Sequence, residues 1–203
     1  ESLCSSVMRL KGCFMFNPFV FEGREADDPD IDGGRVAVFG HSRLGKTALW
    51  AGATDRRFAM VYPAGSGCCG VALSRRAFGE TVFDVNEEFP FWFCGNYKQF
   101  SLREEFMPFD QHEAVALCAP RPVYIATGVD DTWGDPRGEY LAGRGANPVY
   151  ELYGFTGLAS EEYPSVDEPD QRGRIAYHVR SGGHAVTEFD WERFIEYADR
   201  FLK

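Results

Sequence analysis

The eight residues Gly40-His-Ser-Arg-Leu-Gly45-Lys46-Thr47 have the types and spacing of two different chemistries. Read as G-x-x-x-x-G-K-[ST], they form a loop whose backbone N–H groups cradle phosphates, with Lys46 on the phosphates and Thr47 on a bound Mg²⁺. Read as a nucleophile elbow, they throw Ser42 out on a sharp strand-to-helix turn, its hydroxyl beside a helix N-terminus. The fit to G-x-S-x-G is offset, because Leu44 stands where the second glycine belongs and Gly45 comes one residue late. An ordinary turn that merely contains Gly and Ser is a third reading. The loop by itself leaves all three open.

The elements that must position such a loop narrow the choice. Arg35-Val-Ala-Val-Phe39 is strand-like and runs into the loop, and Lys46-Thr-Ala-Leu-Trp-Ala51 favours helix. Phe58-Ala-Met-Val-Tyr62, Pro122-Val-Tyr-Ile-Ala-Thr127 and Arg174-Ile-Ala-Tyr-His-Val179 read as further buried strands. Asp110 and Glu113 suit the start of a helix that Pro120 ends, and Asp135-Pro136 is a good N-cap and first-turn pair for another toward Ala142. Trp191, Phe194, Ile195, Ala198, Phe201 and Leu202 share one helical face near the C-terminus. Strands alternating with helices imply an α/β fold with a mostly parallel sheet. Sites in such sheets assemble at the carboxyl ends of the strands. There the order is Ser42 after the first strand, Asp130-Asp131 after the third and His184 after the fourth, the Ser, Asp, His order of α/β hydrolases. A nucleotide hydrolase has no need of the late histidine.

Composition removes other classes. Of the 203 residues, 44% are hydrophobic, 15% aromatic and 26% charged, which describes a globular chain and not a disordered tail or coiled coil. Lys and Arg number 21 against 31 Asp and Glu, a net charge of −10, and such a chain repels phosphate backbones and anionic lipid headgroups. Neither nucleic acid nor a membrane is an expected partner. The longest apolar patch, Cys13 to Phe21, is interrupted by Asn17 and Pro18 and falls well short of the ~20 residues a bilayer requires. Arg9 and Lys11 precede it, but no A-x-A-like cleavage site follows, so no signal peptide is evident. The six cysteines have no C-x-x-C spacing, which argues against a zinc site.

Several separated motifs occur in one order: Gly40-His-Ser-Arg-Leu-Gly-Lys46, Ser66-Gly-Cys68 with Ala72-Leu-Ser-Arg-Arg76, Phe78-Gly-Glu80, Asp131-Thr-Trp-Gly-Asp-Pro-Arg-Gly-Glu139, and Gly183-His184. Together they resemble bacterial glucuronoyl esterases of carbohydrate esterase family 15. The resemblance implies an α/β-hydrolase fold, three-layered and with a mostly parallel sheet, and a serine esterase acting on esters of 4-O-methyl-glucuronic acid, on xylan or in lignin-carbohydrate material. Ser42 would be the nucleophile and His184 the base. Family members carry the triad acid either at the position that is Gly65 here or at Asp131, so the resemblance assigns it to Asp131, with Asp130 as the neighbour that could replace it. Arg43 would stabilise the oxyanion. Lys46 and Glu80 would bond sugar hydroxyls, and Trp133 would sit at the pocket rim. It implies no metal or organic cofactor, and a secreted or periplasmic location. By residue type alone Asp130-Asp131 fits a turn, Arg43 a solvated side chain, Lys46 a helix surface and Trp133 plain packing. His112 and His178 read as structural, and His41 as a packing residue that points away from Ser42.

The match runs from about Asp28 to the C-terminus, which divides the chain into an atypical segment 1–27 and a partial catalytic region 28–203 that resembles the C-terminal half of the family's domain. Few residues precede the strand at Arg35, whereas an α/β-hydrolase sheet has several strands there. The expectation is therefore a sheet incomplete on its N-terminal side, and for these residues alone poor stability, association and weak activity. The readings that remain beside the esterase are a nucleotide-binding protein built on Gly40–Thr47 and an inactive piece of the esterase.

Overall fold

The structure, a computed structural model, describes residues 32–203. The atypical segment 1–27, its apolar patch and the first residues of the catalytic region lie outside them. Four strands, β1 (Ala37–His41), β2 (Met60–Ala64), β3 (Val123–Gly128) and β4 (Ile175–Arg180), form a wholly parallel sheet in the order β1-β2-β3-β4. Six α-helices accompany them among the described residues: α1 (Arg43–Thr54), α2 (Val82–Glu88), α3 (Gln111–Ala116), α4 (Pro136–Gly145), α5 (Asn147–Leu152) and α6 (Glu188–Leu202).

Every strand begins later than its apolar run suggests. β1 starts at Ala37 and not Arg35 because Gly33–Arg35 is a 3-10 turn, held by the Asp32 carboxylate accepting from Gly34 N at 3.0 Å. The delay carries strand pairing to the edge of the active site, since His41, the residue before Ser42, still pairs with Ala64. Pro63 leaves a gap in the next ladder. Val61 N donates to Pro122 O at 3.1 Å and Gly65 N to Ala126 O at 2.7 Å, but Pro63 between them has no N–H to donate.

Alternation along the strands fills two cores, as expected where both faces of a sheet are covered. Val61, Val123, Ile125, Ile175, Tyr177 and Val179 face Leu49 of α1, Val115 of α3 and Tyr140 of α4. Met60, Tyr62, Tyr124 and Ala176 face Phe194, Tyr197 and Ala198 of α6, where the rings of Tyr62 and Phe194 stack at 4.4 Å. The predicted face of α6 is corrected at Ile195, while Trp191, 40% exposed, still packs its ring on Phe39 at 4.6 Å. Ile195 is 54% exposed and fully buried Tyr197 takes its place, because residues 194, 197, 198 and 201 follow the helical repeat and residue 195 lies beside it. Asp110 caps α3, accepting from Gln111 N at 2.8 Å, and its oxygens also take Ser74 N and Arg75 N. A third cluster, with Cys68, Val82, Val85, Phe93, Tyr97 and Met107, fills the excursion between β2 and α3, for which the sequence offers no period. On its far side β1 has no strand partner among the described residues. No helix among them is long and apolar enough to cross a membrane.

Candidate active site

Ser42 joins β1 to α1 with φ 59° and ψ −127°, a conformation that costs a non-glycine residue energy and recurs where function needs an exposed side chain. Its N–H donates to Ala64 O at 3.0 Å, and its carbonyl accepts from Gly45 N and Lys46 N. The offset glycine pattern has a steric cause. A Cβ on Gly40 would stand 2.0 Å from Leu44 O, and one on Gly45 would stand 2.8 Å from Ala64 O, so the close approaches are at 40 and 45. Leu44 is 40% exposed at the position where the pattern has glycine, and nothing there excludes a side chain.

His184 follows β4 and Asp131 follows β3, and the two meet: His184 Nδ1 and Asp131 Oδ2 are 2.6 Å apart. Asp131 is buried while Asp130 is exposed, which separates the two candidates for the acid. The backbone also joins their loops. Asp130 N donates to Gly182 O, and a Cβ on Gly128 would meet Gly182 O and Gly183 O at 2.4 Å. A side chain at Gly65 would begin 3.7 Å from His184 Cε1, so that position faces the same imidazole but holds no carboxylate.

His184 and Asp131 shift each other's ionisation. The hydrogen bond that His184 donates to Asp131 raises the His184 pKa, against the opposing effect of burial. Burial raises Asp131, but the bond to His184 and its charge outweigh that and hold the carboxyl below the ordinary range. Asp131 is thus a carboxylate throughout the neutral range, and it fixes His184 with Nδ1–H toward itself and Nε2 free as an acceptor. His41 does not point away from the site: its ring packs on His184 with centroids 4.5 Å apart. Burial, then the charge of His184, lowers the His41 pKa, which favours a neutral ring there.

Arg43, the first residue of α1, is exposed, and its N–H belongs to the helix turn whose amides have no helical acceptor. Lys46 differs from the expected surface lysine. It is 6% exposed, and its ammonium donates to Ser66 O and Cys68 O, both at 2.6 Å, and to Glu80 Oε2 at 3.2 Å. Three donors meet three acceptors. Glu80 N in turn donates to Trp133 O at 2.8 Å, and the Trp133 side chain is half exposed. Lys46, Glu80 and Trp133 therefore converge, with Lys46 as an inner support and Glu80 and Trp133 nearer solvent.

The same geometry answers the nucleotide-loop reading. Helix α1 already begins at Arg43, which leaves no wide loop to wrap a phosphate, and the Lys46 ammonium is tied into the protein. The family model for fungal glucuronyl esterases matches residues 22–154. The chain belongs to the glucuronoyl esterase family. It is 51% identical over 177 residues to carbohydrate esterase MZ0003 from an unknown prokaryotic organism, covering 86% of this chain and 40% of that protein. It is 32% identical over 180 residues to 4-O-methyl-glucuronoyl methylesterase 1 of Wolfiporia cocos, covering 85% and 41%. The solved glucuronoyl esterase of Solibacter usitatus superposes with a TM-score of 0.85 at 45% identity over 90% of this chain and 46% of that one. The chain thus spans about two fifths of the length of the curated relatives it matches. The relatives have the α/β-hydrolase fold, of which this chain covers part.

One residue near the site went unread in the sequence. Glu139 on α4 is fully buried, and its Oε1 accepts from Gly67 N at 2.7 Å and Ser66 Oγ at 3.0 Å, which ties the Gly65–Gly67 turn to α4. Oε2 has no partner among the described residues. The available signal was a glutamate in register with Ala142, Gly143 and Ala146 on a small, apolar helix face. Burial pushes the Glu139 pKa up to about 8, against its two hydrogen bonds. The folded value exceeds the unfolded one, so the folded protein binds the extra proton between them and stability falls as pH rises from about 4.5 to about 8. At ~1.4 kcal/mol per unit, the ionised form is disfavoured by an amount on the order of 5 kcal/mol. Glu139→Gln is expected to match the parent near pH 5 and exceed it by several degrees in Tm above pH 8. Parallel Tm curves for the two proteins from pH 5 to 9 would contradict this.

Proposed function

We propose that the protein is a serine esterase that cleaves esters between 4-O-methyl-glucuronic acid, as carried on xylan, and an alcohol such as those of lignin. The observation that carries this reading is the 2.6 Å contact of His184 with Asp131 on the sheet edge where Ser42 stands on its strained turn. The names of the relatives supply the sugar. Residues 28–203 are read as the part of the catalytic domain that bears the triad.

The Ser42 hydroxyl attacks the ester carbonyl as His184 Nε2 takes its proton, and Asp131 stabilises the imidazolium. The carbonyl oxygen becomes an oxyanion, which the Arg43 N–H and guanidinium stabilise at the positive end of α1. Collapse expels the alcohol, protonated by His184. Water, deprotonated by the same imidazole, then attacks the glucuronoyl-Ser42 ester and releases the acid. No step is routed through a metal or organic cofactor. Glu80 and Trp133 hold the sugar, and Lys46 orients Glu80. We place the enzyme outside the cytoplasm, where such polymers are found.

The test compares a methyl ester of glucuronic acid with an aryl acetate. Lys46→Ala is expected to lower kcat/KM on the sugar ester by about 10–100-fold more than on the acetate, the worth of a hydrogen bond to a charged group. Equal losses on both substrates would mean that Lys46 serves the fold or the nucleophile, and no turnover of the sugar ester by the parent protein would end the proposal.

A further inference from the structure

We propose that Arg180 is a positioning residue for His184: its buried guanidinium, anchored by Asp190, is the post around which the histidine loop is wound. The inference rests on the esterase reading only for its kinetic consequences.

Arg180 is the last residue of β4 and is 3% exposed. Its Nε donates to Asp190 Oδ2 at 2.7 Å. Nη1 donates to Ser181 O at 2.8 Å, and Nη2 donates to Gly183 O at 2.9 Å and Ala185 O at 2.5 Å. The three carbonyls belong to the loop that bears His184, and two of them flank that residue directly. A rigid planar fork can bind several acceptors at set angles, which a lysine ammonium cannot copy. The anchor is itself over-determined. Asp190 sits in the first turn of α6 and accepts from Thr187 N and Thr187 Oγ1, each at 2.7 Å, and it bonds His178 Nε2 at 2.9 Å. His178 Nδ1 lies 2.8 Å from the Tyr124 hydroxyl of the central strand β3. His178 is thus tied at both ring nitrogens inside the core, and the chain Tyr124, His178, Asp190, Arg180 runs from the middle of the sheet to the histidine loop. Gly182 and Gly183 leave that loop little stiffness of its own. The Asp131 bond fixes one edge of the imidazole, while Arg180 fixes the backbone from which it hangs.

The test is Arg180→Lys, which keeps the charge and loses the fork. In the parent protein the His184 Nδ1–H shared with Asp131 should give a low-field proton resonance. In the variant that resonance is expected to broaden or vanish, and kcat on an aryl acetate to fall about 10²-fold with KM little changed, the effect of a slightly misplaced catalytic group. A merely structural Arg180 would lower Tm and leave both the resonance and the kcat of the folded protein intact, and that result overturns the proposal. If the Lys variant does not fold, Asp190→Asn loosens the anchor while keeping the fork; it should show a smaller loss of the same kind, and an unchanged resonance and kcat there overturn the proposal equally. A parent protein that shows the resonance but turns over no ester refutes the esterase reading and leaves the positioning role to be decided by the resonance alone.

Discussion

Replacing Ser42 by Ala is expected to lower kcat on a glucuronate ester by about 10⁶-fold, the loss seen when a serine nucleophile is removed from an intact triad. No acyl-enzyme can form without the hydroxyl, and what persists is the help of the oxyanion donors and of binding. The loss should fall on kcat, because nothing in the site assigns ground-state affinity to the Ser42 side chain. The fold should survive, since Ala at φ 59° meets the same steric penalty that Ser42 already bears. Equal melting temperatures for the two proteins, together with a covalent ester adduct that forms on the parent and not on the variant, would complete the result. A variant that keeps activity within tenfold would refute the mechanism.

Asp131→Asn should lower kcat by about 10⁴-fold, because an amide beside Nδ1 favours the wrong imidazole tautomer and no longer balances the imidazolium. The pH profile carries a second sign. Asp131 raises the pKa of His184, so its removal lowers that value, and the acid limb of kcat/KM should move to lower pH as activity drops. Asp130→Asn is the internal control. Asp130 is exposed, and among the described residues it bonds through its backbone N–H to Gly182 O, so kcat should stay near the parent value. The reverse pattern would assign the acid to the other residue of the pair.

The meeting of Asp131 and His184 on the edge that bears Ser42 was legible because each of the three follows an apolar run within a few residues, and a parallel α/β order sends all such loops to one edge. Ser42 is also framed by Gly40 and Gly45, which mark tight backbone approach, whereas a side chain at Gly183 beside His184 would meet no neighbour. That Asp131 and not Asp130 turns toward His184 was expected only from the family resemblance, since neighbouring residues in a turn differ in direction and sequence does not record direction. Strand limits came out one to two residues early because apolar runs report burial, whereas strand pairing depends on where a partner's carbonyl lies, as the 3-10 turn before β1 illustrates. Helix α5 and the 3-10 turns between β2 and α3 carry no period that a short window could detect.

Sequence by itself determined the alternation of strands and helices, the chain order in which Ser42, Asp131 and His184 follow strands, and the acidic, globular character of the chain, since these follow from residue type and local spacing. Only the tertiary structure decided that Lys46 is turned inward with all three donors used, that Glu139 is buried with one oxygen unpaired, that His41 packs on His184 and that Arg180 holds the histidine loop. Each of these depends on groups brought together from other strands and helices, such as the Ser66 hydroxyl and the Glu139 carboxylate, 73 residues apart. Burial and partnership are properties of such meetings. A lysine on a helix or an arginine at a strand end reads the same in sequence whether it faces water or a core, and the folded surroundings alone settle its ionisation and its task.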